Sequence, residues 1–237
     1  IGHASIAERL TALDLFKRET NYFIHNSMLF NLELFNINTR YISENSDYKS
    51  INVKKKFFIK TKEEKYNFLK QLQGELQVFY LELRPKLQSE QYSNLNQLIS
   101  AVRSSMHSVK SVKDIGTNIA NLRNSSKDIK YKFFIHNKQE TEALYQQFNA
   151  LMTGEKPADF ENLQHVFNTI EDNYSSALNT FYSEAQDAPL EKIDITTIIN
   201  FNRELFISNK AMLMTVKDFL LKEEEIQEFH EVPLHKR

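Results

Sequence analysis

The sequence predicts an all-α fold of six long helices, arranged as a tandem duplication of a three-helix bundle unit. Glycine and proline, which dominate tight turns, are scarce, with 4 of each in 237 residues. Apolar residues make up 41% of the chain and recur with the 3.6-residue period of an amphipathic helix. The sequence also partly repeats itself one hundred residues later.

Six periodic segments define the predicted helices. They lie at residues 5–44, 62–87, 90–123, 128–153, 160–185 and 190–228. The first segment predicts an amphipathic helix, with one apolar side made of Leu10, Leu13, Phe23, Phe30, Leu34, Ile37 and Tyr41.

Local signals mark several helix ends. Thr61 followed by Glu64 is the pattern of a capping box, in which hydroxyl and carboxylate satisfy each other's backbone N–H groups. We expect Ser89 and Asp159 to be the N-caps of the third and fifth helices. Gly154 predicts the end of the fourth helix.

The repeat is clearest in the third and sixth predicted helices, which match at an offset of one hundred residues. The apolar seam of the third helix is Leu95, Leu98, Val102, Ser105, Val109, Val112, Gly116 and Ile119. The matching seam of the sixth is Ile195, Ile198, Asn202, Leu205, Asn209, Met212, Val216 and Phe219. The tetrapeptide Phe-Ile-His-Asn occurs at 23–26 and again at 134–137. We therefore predict two repeats, at residues 1–127 and 128–237.

Composition excludes several classes of function. The chain has no cysteine, so it has no disulfide or thiolate metal site. The 30 basic and 31 acidic residues balance, so no general basic field attracts nucleic acid. No segment is apolar enough to span a membrane, and this fragment is expected to be soluble. Because no phosphate-binding glycine loop or nucleophile elbow occurs, we predict that the protein is not an enzyme.

Seven histidines raise the alternative of a di-iron helical bundle. Such sites use Glu-x-x-His motifs on facing helices, and this motif does not occur in the chain. His25, His107 and His136 are therefore interpreted as structural, and no metal or other cofactor is predicted.

Several stretches resemble the PhoU family of duplicated three-helix proteins. They are YNFLKQLQGEL (66–76), LNQLISAVR (95–103) and VKDIGTNIA (112–120). The stretches AVRSSMHSVKSVKDI (101–115) and INFNRELFISNKA (199–211) are similar to the PhoU-like domain of bacterial sodium/phosphate cotransporters. This resemblance implies a regulatory domain on the cytoplasmic side of the inner membrane. Its implied partner is a transmembrane domain of the same polypeptide or a separate transporter.

The resemblance has one informative departure. Free-standing PhoU proteins carry Glu-x-x-x-Asp on the third and sixth helices, a carboxylate pair that can hold a metal. Here the pairs read Lys110 with Asp114 and Lys210 with Met214. A free-standing phosphate-uptake regulator is thus the alternative, and the cotransporter branch is the better match.

The candidate contact surface is a polar stripe on the third predicted helix with an echo on the sixth. Its residues are Arg103, Lys110 and Asp114, repeated in part by Arg203 and Lys210. We interpret them as a contact for a partner domain or an anion. The alternative is an ordinary solvated helix face.

Two segments are candidates for membrane contact. The chain opens on Ile1 rather than methionine, so residues 1–17 are interpreted as a juxtamembrane connector, with Ile6, Leu10 and Leu13 packing on a neighbouring domain. The alternative is that this segment forms only the opening turns of a bundle helix. The basic and aromatic segment 54–60 is the second candidate, and its alternative is a loop folded against the second helix.

Overall fold

The computed structural model describes residues 6–40, 42, 61–185, 190–221 and 225, with side chains from residue 11 onward. Within these residues the protein is all-helical and has no β-strand, so the predicted all-α class is confirmed. The helices are α1 (Ile6–Leu34), α2 (Lys62–Leu83), α3 (Ser89–Asp114), α4 (Gly116–Arg123), α5 (Asp128–Thr153), α6 (Phe160–Glu184) and α7 (Lys192–Leu220). A 3₁₀ turn at Arg84–Lys86 follows α2.

Three of the predicted helix ends are confirmed in detail. The Thr61 N–H donates to Glu64 Oε2 at 2.8 Å, and the Glu64 N–H donates to Thr61 Oγ1 at 3.2 Å. Asp159 accepts from the Asn162 N–H at 2.8 Å at the start of α6. Gly154 ends α5 with φ of 77°, the left-handed conformation that favours glycine.

The first helix is shorter than predicted. It was expected to run over residues 5–44, but α1 ends at Leu34. Asn36 has a positive φ of 54°, which a continuous α-helix does not allow. Asparagine tolerates this conformation better than most residues, so a single residue turns the chain out of the helix.

The third predicted helix also differs from its expected form. It divides into α3 and α4 at Ile115, whose φ of −94° and ψ of 8° lie outside the helical region. The N-cap is Gln88 rather than Ser89, which is the first residue of α3. The N-cap was predicted one residue too late. Serine is the better capping side chain, but the extended backbone of an N-cap residue occurs at Gln88.

The middle of α1 is buried on all sides, contrary to the amphipathic prediction. Every residue from 22 to 30 is buried, because α1 contacts α2, α3 and α5. Two of the polar side chains in this stretch bond to carbonyls of their own helix. Asn26 Nδ2 donates to Tyr22 O at 2.8 Å, and Ser27 Oγ donates to Phe23 O at 2.9 Å.

Two groups of three helices pack together through α3 and α7. Helices α1, α2 and α3 contact one another, and so do α5, α6 and α7. The contact between α3 and α7 is the most extensive of all. The short α4 packs mainly on α5. A cluster of aromatic rings joins the end of α1 to the second group and consists of Phe35, Phe133, Phe134, Phe181 and Phe201.

Gly74 offers a test of the α2 assignment. It lies in the interior of α2, and a Cβ atom there would meet nothing within 4 Å. We expect Gly74→Ala to stabilise the protein by roughly 1 kcal/mol, since alanine has the higher helix propensity. Denaturant unfolding monitored by circular dichroism measures the change. Gly154→Ala is the matched control, because it has equal space but a positive φ, and it should destabilise instead.

Candidate functional site

The predicted stripe residues lie on two helices that run antiparallel. Ser108 meets Ser208, and Ser100 Oγ donates to Asp218 Oδ2 at 2.7 Å, so the chain direction is opposite in α3 and α7. Arg103 and Arg203 each lie five residues before this crossing. They are therefore displaced in opposite directions, by about 15 Å along the axis in total. The structure does not bring the two arginines into one site.

The repeated lysines have different surroundings. Lys110 is exposed on α3, together with Arg103 and Asp114. Lys210 is half-buried, with its Nζ 5.2 Å from the ring centroid of Phe167 and 5.1 Å from that of Phe206. Stacked on two rings, the Lys210 ammonium is engaged by cation–π attraction.

Arg203 also has partners on its own helix. Its guanidinium donates to Asn200 Oδ1 at 2.7 Å and to Glu204 Oε1 at 3.2 Å. Because Arg203 and Lys210 on α7 both have partners of their own, the more open half of the predicted contact surface is on α3. It consists of Arg103, Lys110 and Asp114.

A buried polar network, which the sequence interpretation missed, lies where four helices meet. Asn31 Nδ2 donates to Ser108 Oγ at 2.9 Å and to Tyr145 Oη at 2.7 Å. The Ser108 and Ser208 hydroxyls are 2.8 Å apart, and Ser208 Oγ also donates to the Ser108 carbonyl at 3.0 Å. All four side chains are at most 1% exposed. The identity of Ser108 and Ser208 at the hundred-residue offset was the sequence signal for this network.

The network has a strong electrostatic preference for a neutral tyrosine. Burial raises the pKa of Tyr145 to about 12, although hydrogen bonds from Asn31, Ser108 and Ser208 act in the opposite direction. The phenol therefore stays protonated at physiological pH. The phenol can form hydrogen bonds, but it does not act as a base at that pH.

Tyr145→Phe should have a pH-dependent effect. At neutral pH we expect a loss of about 1–2 kcal/mol, since Asn31 loses a buried partner. Because the folded-state pKa is raised from 10.0 to about 12, the parent protein loses stability as the pH rises through this interval, by about 3 kcal/mol in total. The phenylalanine variant lacks this loss, so the difference between the two proteins should shrink above pH 10. Urea unfolding across the alkaline range tests this, and a constant difference would contradict it.

A partly buried polar contact ties the start of α7 to the start of α5. Asp194 Oδ2 lies 2.6 Å from Lys127 Nζ, and Oδ1 lies 2.7 Å from Lys130 Nζ. The same carboxylate accepts from the Glu191 N–H at 3.2 Å, which caps α7. The bonds from Lys127 and Lys130 hold the pKa of Asp194 well below its usual range.

A cleft of about 620 Å³ opens beside the start of α5. It is lined by Ser126, Lys127, Asp128, Ile129, Lys132, Glu184 and Leu190. Both lysines already have carboxylate partners, since Lys132 Nζ lies 2.7 Å from Asp128 Oδ2 and Lys127 contacts Asp194. The cleft therefore presents balanced charge and no strong preference for an anion.

Among the described histidines, His25 is buried and His136 is half-buried, which agrees with a structural role. His107 and His165 are exposed, so the structural interpretation of His107 is not supported. Within the described part of the chain, no three His, Asp or Glu side chains are grouped so that they could hold a metal. Among the helices described, none combines the length and apolar character of a membrane span.

The connector interpretation needs a correction at its C-terminal end. Leu13 was expected to pack on a neighbouring domain, but Leu13 and Phe16 are buried in the bundle's own core. Lys17 Nζ lies 5.8 Å from the ring centroid of Phe219 in α7. The helix thus joins the bundle by Leu13. The side chains of Ile6 and Leu10, and the whole segment 54–60, lie outside the described residues.

Comparison with protein family models, curated proteins and solved structures gives no match for this chain.

Proposed function

We propose that the chain is a PhoU-like regulatory domain of a sodium/phosphate cotransporter, acting on the cytoplasmic side of the inner membrane. The observation that carries this proposal is the contact between Ser108 and Ser208. In a two-fold arrangement, a residue near the axis meets its own equivalent. The separation of these two serines is 100 residues, the same offset that aligns the third and sixth predicted helices. This supports a duplicated three-helix unit.

A local match supports the same duplication. Asn26 and Asn137 occupy equal places in the repeated Phe-Ile-His-Asn sequence. Each donates its side-chain amide to the carbonyl four residues earlier, at 2.8 Å in both helices. The two asparagines therefore make matching bonds in α1 and α5.

The role proposed for the domain is contact with a transporter rather than transport or catalysis. Arg103, Lys110 and Asp114 form the exposed polar face of α3, and we assign the partner contact to this face. Charged residues at the edge of an interface mainly set association rate and partner choice. The domain would then modulate phosphate uptake by binding the membrane part in one state of the transporter.

Phosphate uptake by the full-length protein tests this role. The genomic sequence upstream of Ile1 should encode several apolar segments of roughly 20 residues. In cells that depend on this protein for sodium-driven phosphate uptake, Lys110→Glu should change uptake or its response to external phosphate. Lys70→Glu, an exposed lysine on α2, is the control and should leave uptake unchanged. Equal behaviour of the two variants, or uptake that ignores sodium, would count against the proposal.

The alternatives, a free-standing metal-supported regulator and a di-iron bundle, differ in metal content. We expect no stoichiometric transition metal in protein purified without chelator. Lys110 and Lys210 stand where the free-standing family has its leading carboxylates, and a cation there repels a metal ion. Elemental analysis after dialysis measures this. One or more equivalents of iron, zinc or manganese would favour an alternative.

A further inference from the structure

We propose that the buried network of Asn31, Ser108, Tyr145 and Ser208 is a register device that fixes how far the two helix groups are slid along each other. The proposal does not depend on the regulatory role proposed above. Its four side chains come from α1, α3, α5 and α7, two from each group. Every one of them is almost completely inaccessible to solvent.

The apolar seams alone do not determine this register. Along α3 the buried apolar residues of the seam are Leu95, Leu98, Val102, Val109 and Val112. Along α7 they are Ile198, Leu205, Met212, Val216 and Phe219. Both seams repeat every three or four residues, so a slide of one heptad, about 10.5 Å, again sets most apolar residues against apolar residues, with the buried Asn202 and Asn209 of the α7 seam as exceptions.

The polar network, in contrast, fits one register. The side-chain hydroxyl of Ser208 reaches the backbone carbonyl of Ser108 at 3.0 Å, so only small side chains fit at the crossing. A heptad slide in one direction would set Phe201 against Ser108, where a large ring cannot be accommodated. A slide in either direction separates Asn31 from Tyr145 and leaves a buried amide and phenol without partners, which is strongly unfavourable.

A network that fixes the register and a network that stabilises the fold should respond differently to its removal. Replacing a buried polar network by apolar residues of similar shape is often neutral or stabilising. A single buried asparagine, however, can decide which register a helix pair adopts. A register device should therefore be removable without loss of the helical fold but with loss of a unique alignment.

Disulfide trapping measures alignment directly, and the chain has no native cysteine to interfere. The pair Ser100→Cys with Asp218→Cys reports the observed register, because the two side chains are in contact. The pair His107→Cys with Asp218→Cys reports a slide of one heptad in the direction that sets Thr215, rather than Phe201, against Ser108. Each pair is placed in the parent protein and in an apolar variant carrying Asn31→Leu, Ser108→Ala, Tyr145→Phe and Ser208→Ala. A milder variant carries only the two serine-to-alanine changes.

In the parent, we expect mild oxidation to cross-link the Ser100 pair and not the His107 pair. In the apolar variant both pairs should cross-link while helical circular dichroism is retained, and the milder variant should give a smaller yield of the shifted product. If the His107 pair stays reduced in both variants, the apolar seam sets the register and the proposal is overturned. Loss of the helical signal in both variants would overturn it too, because the network would then be needed for stability.

Discussion

Ser108→Leu is expected to destabilise the protein by about 3 kcal/mol or more. Ser108 is completely buried where α3 crosses α7, and Ser208 Oγ lies within hydrogen-bonding distance of its backbone carbonyl. Adding three carbon atoms there forces the helices apart, which typically costs 1–3 kcal/mol. The lost bonds to Asn31 and Ser208 add about 1 kcal/mol each. Urea unfolding followed by circular dichroism measures the total.

Two control variants separate crowding from other effects of the substitution. Ser104→Leu makes the same chemical change one turn earlier on a partly exposed face of α3, so it should change stability little. Ser108→Ala adds no volume but loses the same two hydrogen bonds, so it should cost about 2 kcal/mol. If Ser108→Leu changes the unfolding free energy as little as Ser104→Leu does, then α3 and α7 do not approach each other closely at Ser108.

The sequence predicts local features of this fold well. The capping box of Thr61 with Glu64, the cap at Asp159 and the stop at Gly154 all occur as expected. Each depends on residues within one helical turn, whose side chains satisfy nearby backbone groups whatever the rest of the chain does. Apolar periodicity likewise predicts the helices, because it depends only on which side of a single helix is buried.

Features that depend on several helices could not be predicted in this way. The burial of residues 22–30 on all sides follows from the number of helices that surround α1, which its own period does not reveal. The division at Ile115 is a backbone conformation that lets α4 pack on α5. Asn36 ends α1 within a segment whose apolar pattern continues to Tyr41, so periodicity alone overestimates the length of the helix.

The candidate site shows the same limit. The repeat at an offset of one hundred residues indicated that Arg103 and Arg203 are related. It did not indicate that an antiparallel crossing would separate them. The same offset contains the identical pair Ser108 and Ser208, which does meet. Two repeated residues meet only if they lie close to the point where α3 crosses α7. The position of that point depends on how the two helices pack, which the sequence repeat does not give.

Asp194→Asn is expected to lower stability by about 2 kcal/mol at neutral pH. The Asp194 carboxylate accepts charge-assisted bonds from Lys127 and Lys130, and the asparagine amide would leave these two cations facing each other. Breaking a fully buried ion pair costs more than this. The side chain of Lys127 is 35% exposed, however, so solvent screens part of the interaction. Asp128→Asn is the matched control, because Asp128 pairs with Lys132 on the open surface and should matter little.

The pH dependence of unfolding tests the same contact independently of the size of the loss. The pKa of Asp194 is lower in the folded state than its ordinary value of 3.8. The contact therefore stabilises the fold fully above that value, and the stabilisation disappears as the pH falls below 3.8 through the folded-state pKa. Below pH 4, the difference in unfolding free energy between the parent and Asp194→Asn should decrease, because the unfolded parent takes up a proton on this carboxylate while the folded parent still holds it charged. At the same acidity the Asp128→Asn difference should stay small. A difference for Asp194→Asn that is unchanged between pH 7 and pH 2 would show that the two lysines do not stabilise the carboxylate in its charged form.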